Sequence, residues 1–198
     1  AFSTEQAKAA VGSQEVNVTF EYGCGLSLPG MEADLMPLPV IVNGTLPEVV
    51  APGEEFYLTN AVIDVYHPSL NSGVPQEMVT TMLQPNFIVI SENNSDTVRT
   101  FFPDFDHVVP AFNEDPLPMR ITGDEKAEIG PFVAGEEGEV ILKAGNVRMD
   151  ATMEGIPLQL GYLCDATEGN DYLLGTVAID SEAPILTLNG DSTMIVKQ

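Results

Sequence analysis

Val16-Asn17-Val18-Thr19-Phe20-Glu21-Tyr22-Gly23-Cys24 alternates apolar and polar residues and ends on a cysteine. Side chains two apart in a strand share a face, so Val16, Val18, Phe20, Tyr22 and Cys24 form one inward row, with Asn17, Thr19 and Glu21 turned to solvent. A second stretch repeats the device: Ile156, Leu158, Leu160, Tyr162 and Cys164 make a row that also ends in Cys, again two residues after a Tyr. Two inward rows that each end in a cysteine are well placed to be joined, so a Cys24–Cys164 disulfide is expected; two inert buried thiols are the alternative. A bridge closing so long a loop removes about 5 kcal/mol of denatured-state entropy in the chain-entropy model. It persists only in an oxidising compartment. Ala1-Phe2 at the start matches what signal-peptidase cleavage leaves, which points the same way, to an exported protein.

Outward from these rows the same period recurs between Pro and Gly punctuation. Strands are expected at 39–46, 55–66 (broken near Asn60), 79–83, 87–90, 98–102 and 139–142. Others follow at 146–153, 156–164, 173–179, 185–188 and 193–196. Pro52-Gly53 suits a type II turn, Asn43-Gly44 and Asn189-Gly190 suit tight hairpins, and Gly135 and Gly138 bracket an acidic turn. So many short strands at this spacing predict an all-β sandwich in a single domain. Residues 1–15 read as an arm, with 4–11 a short helix candidate; 16–198 is the sandwich, and 185–198 its C-terminal strand segment.

Composition narrows function. Seven Lys plus Arg stand against 30 Asp plus Glu, a net charge of −23. That field repels a phosphate backbone, and no basic stripe overrides it, so nucleic acid is not an expected partner. Anionic membrane surfaces are disfavoured for the same reason, and no apolar run reaches the roughly 20 residues a spanning helix needs. Acidity serves solubility in the plain reading and multivalent cations in the sharper one. Sequons at Asn17, Asn43 and Asn93 matter only in a glycosylating host.

Catalytic chemistry is thin. The two histidines are the only neutral-pH bases. His67, before Pro68 at a strand end, reads as a loop residue. His107 in Pro103-Asp104-Phe105-Asp106-His107 brings an imidazole near two carboxylates, although a solvated acidic loop is the plainer reading. No Gly-x-Ser-x-Gly elbow is present, paired carboxylates are too common to single out, and Trp is absent, which weighs against sugar chemistry. Gly23-Cys24-Gly25 reads as a turn at the disulfide, and the methionines as core filler. Calcium is the one cofactor with a candidate site: Asp165, Glu168, Asn170 and Asp171 offer oxygen ligands in one loop, without EF-hand spacing.

Phe20-Glu21-Tyr22-Gly23-Cys24 with its following Leu-Pro turn, Leu46-Pro47, Val50-Ala51-Pro52-Gly53-Glu54-Glu55-Phe56, and Gly130-Pro131-Phe132-Val133-Ala134-Gly135 leading to Cys164 occur in an order that resembles a known family. It is one of secreted immunoglobulin-like domains of unknown function from Gram-positive bacteria, actinobacteria especially. The resemblance covers 16–180 and implies an exported immunoglobulin-like sandwich without supplying an activity. The segments outside the two cysteines, 1–15 and the apolar 185–198, motivate the expected function, which is non-enzymatic: an extracellular structural or adhesive surface protein, a fibre subunit whose terminal arm adds a strand to another copy. The alternative is a monomeric secreted binding module, for calcium or for a host or cell-wall ligand. A hydrolase using His107 with Asp104 or Asp106 comes third.

Overall fold

The computed structural model of the chain describes residues 12–28, 31–32, 36–67, 76–92, 94–100, 105–109, 117–122, 126–153, 156–166, 172–183, 185–188 and 194–197. Every regular element among them is a strand. The chain is all-β. On one layer lie β1 (Ser13–Leu28), β3 (Met36–Pro47) and β5 (Glu55–His67), with β9 (Leu117–Arg120) and β10 (Ala127–Val133) sharing the far edge of β5. On the other lie β6 (Gln76–Ser91), β11 (Glu139–Met153) and β13 (Leu173–Ile179). There β7 (Asn94–Arg99) and β8 (Phe105–Val109) pair with β6, and β4 (Val49–Val50) runs parallel to the end of β13. Two further strands, β2 (Met31–Glu32) and β12 (Ile156–Ala166), extend β1, and β12 also pairs with β11, joining the layers at one end.

The alternating row of β1 holds: Val16, Phe20, Tyr22 and Cys24 are buried, and Asn17, Thr19 and Glu21 are exposed. Phe132 of β10 meets Phe56 at 5.6 Å and, across the core, Phe87 of β6 at 5.9 Å between ring centroids. Phe132, Leu46, Leu58, Ile129, Leu142, Val140 and Val177 lose essentially all solvent contact, each contributing about 1.5–3 kcal/mol by burial.

Several strands run longer than the alternation predicts, because bulges let a row change parity without ending the strand. In β5 the inward residues are Phe56 and Leu58, then Ala61 and Ile63. Asn60, with φ +50°, is the extra residue, so the expected break there is a bulge instead. In β11 the row passes from Leu142 and Ala144 to Val147 and Met149 across Gly145-Asn146, which joins the expected 139–142 and 146–153 into one strand. The stretches at 79–83 and 87–90 are likewise one strand, β6.

Asn43-Gly44 is no hairpin. It lies inside β3, with Asn43 opposite Asn17, and Gly44 is needed because a Cβ there would stand 2.7 Å from Leu58 Cδ1. The strand expected at 98–102 is β7, at Asn94–Arg99, and β8, β9 and β10 were not anticipated; His107 lies in β8 rather than in a loop. Pro52-Gly53 does turn the chain, with Gly53 at φ +70° and Glu54 N donating to Ala51 O at 3.1 Å. Of the arm, 13–15 belong to β1, paired with β3; the helix candidate at 4–11 and Asn189-Gly190 lie outside the described residues. The C-terminal segment forms β14 (Ile185–Leu188) and β15 (Met194–Lys197), an antiparallel ladder that among the described residues is a sheet of its own.

Candidate functional site

Cys24 and Cys164 face each other directly across the β1–β12 ladder and form the expected disulfide, with Cα atoms 4.0 Å apart. Both are buried, whereas their neighbours Leu163 and Asp165 are exposed, as the parity of β12 requires. Two residues before Cys24, the Tyr22 hydroxyl donates to Gly145 O at 2.9 Å, and its ring stacks on Tyr172 with centroids 4.9 Å apart and planes within 4°. Tyr172 in turn donates to Glu21 O and meets Phe20 edge-on at 5.0 Å. Burial, and then the neighbouring Tyr172, push the Tyr22 phenol above its ordinary value, so it is held as a neutral donor.

Two concavities flank this cluster. The first, of about 70 Å³, lies between the layers, where Tyr22, Val42, Ile63, Leu83, Phe87 and Met149 line it. Its walls are almost wholly apolar, so it offers a water few partners.

The second is a polar cleft of about 520 Å³, where Asn86, Thr97, Arg99, Lys143, Asn146 and Asp165 gather around Ile88 and Tyr172. The bulge in β11 creates it. A Cβ at Gly145 would stand 2.9 Å from Asn86 O, so glycine lets β6 and β11 approach at this point, and Asn86 Nδ2 donates to Asn146 Oδ1. Phe87 and Val89 point into the core, so Asn86 and Ile88 face outward. Asn86 pairs with Arg99, Ile88 with Thr97 on one side and with Lys143 on the other. The chain's scarce cations are thus distributed unevenly. Arg120 is held by Asp64 (2.9 and 3.2 Å) and Arg148 lies 3.9 Å from Asp150, and both Arg99 and Lys143 line this one cleft.

Of the four expected calcium ligands, Asp165 is on the cleft wall with these cations, and Glu168, Asn170 and Asp171 lie outside the described residues. Among the described residues no three acidic, His or Cys side chains are grouped so as to hold a metal ion. His67 ends β5 and His107 sits in β8, while Asp104 lies outside the described residues. The cleft itself went unanticipated. Its only trace in sequence is Gly145-Asn146 interrupting an apolar row, because four strands supply its residues and their register cannot be read locally.

No family model, curated protein or solved structure matches the chain. Among the described residues no helix is long and apolar enough to cross a membrane.

Proposed function

We propose that the protein is a non-enzymatic extracellular structural protein, a sandwich that assembles with other copies of itself by strand addition at a terminal segment. The observation that carries this reading is the β14–β15 ladder, which among the described residues is joined to no strand of the main sheet. A two-stranded ribbon is marginal alone in water, and three or more strands or a packing partner are needed to hold it. Ile185, Leu186, Leu188, Met194, Ile195 and Val196 give this ribbon apolar residues at both parities, a composition suited to an added, covered position. Addition to the edge of a second copy is heterologous and so leaves the assembly open to growth.

The disulfide supports the extracellular part, since such bonds persist in oxidising compartments. The immunoglobulin-like part draws support from strand order: β13, β11, β6 and β7 lie side by side opposite β5 and β10, and β4 runs parallel to β13. Electron microscopy of the full chain beside one lacking residues 185–198 tests the assembly. Filaments or oligomers given by the full chain alone are the expected result. Identical assemblies from both would exclude this ribbon as the donor.

A further inference from the structure

A row of polar side chains crosses the outer face of the second layer. Asp165 of β12 follows Cys164, which stands opposite Val147; Asn146 precedes Val147 and accepts from Asn86, and Asn86 is the direct partner of Arg99. Over four adjacent strands the row reads carboxylate, amide, amide, guanidinium. Lys143 stands in the neighbouring row on β11, opposite Ile88, between the strand of Asp165 and that of Arg99. Three strand spacings of about 4.8 Å separate the backbones at the two ends by about 14 Å. An Arg99 side chain leaning over the cleft shortens this span toward the length of one or two extended residues at about 3.5 Å each.

The mixed charge selects among ligands. A lone anion drawn to Arg99 and Lys143 meets Asp165 in the same cleft, and a lone cation drawn to Asp165 meets the two bases. A phosphate dianion must also approach against the field of a chain carrying −23. A zwitterion meets no such long-range penalty and satisfies both ends.

We propose that this cleft binds a short peptide with both termini free. Its α-carboxylate sits at the fork of Arg99, its α-ammonium at Asp165, and its peptide bond lies over the Asn86–Asn146 amides. The site does not depend on assembly through β14–β15.

The test titrates alanyl-alanine into the isotopically labelled protein and follows amide chemical shifts, with N-acetyl-alanyl-alanine, alanyl-alanine amide and inorganic phosphate as comparisons. Saturable shifts at residues 86, 97, 99, 143, 146 and 165 are expected with the free dipeptide. Each blocked form should bind at least about tenfold more weakly, as loss of one charged hydrogen bond implies. Arg99→Gln should erase the preference over the amide form, and Asp165→Asn the preference over the acetylated form; both residues are exposed, and far-UV circular dichroism checks that each variant keeps its fold. Absence of saturable shifts at millimolar dipeptide, equal binding of free and blocked forms, or tighter binding of phosphate would each overturn the proposal.

Discussion

Tyr22 sits where the core, the disulfide strand and the β11 bulge meet, through its stack on Tyr172 and its hydrogen bond to Gly145 O. Because its phenol is raised in the folded state, the unfolded chain releases this proton first as pH climbs past about 10, so stability is fully present below that value and falls above it. Urea unfolding from pH 8 to 11 should show that decline. In Tyr22→Phe the protein should lose about 1 kcal/mol near neutral pH and show a shallower alkaline fall. Two residues on, Cys24→Ser removes a bridge across a separation of 140 residues and should cost about 2–5 kcal/mol, readable as a lower urea midpoint, with reduction of the native protein giving a similar loss. Tyr22 and both cysteines were legible because each lies in an alternating row. Tyr172 was not, since it lies just before β13, outside any such row, and acts through contacts with residues distant in sequence.

At the scale of elements, alternation located most strands and misjudged where several of them end. A two-residue template reads a parity change as a break, yet Asn60 and Gly145-Asn146 carry β5 and β11 through theirs. Asn60 tolerates its left-handed backbone better than a β-branched residue would. Asn60→Val should therefore destabilise by about 1–2 kcal/mol, while Asn60→Gly, without a Cβ to clash, should stay close to the native midpoint in the same urea titration. The strands β8 and β9 are hidden in the sequence because they lie in or beside a Pro-rich acidic stretch, where the usual depletion of such residues from strands argues against the assignment. Gly44 misled in the opposite direction: its turn-like dipeptide serves close packing against Leu58 inside β3.

For the whole molecule, the sandwich follows from residues that alternate, and the cleft follows from how four strands are registered. Arg99, Lys143 and Asp165 are far apart in sequence and meet only because β7, β6, β11 and β12 lie side by side. Net charge of −23 keeps copies apart at long range, so association by a ribbon should strengthen as salt screens that repulsion. Sedimentation velocity over a range of protein and salt concentrations, run on the full chain and on the chain lacking residues 185–198, tests self-assembly most directly. The full chain should give species that grow with concentration and with salt while the shortened chain stays at one monomeric mass. A full chain that remains monomeric under every condition would contradict it.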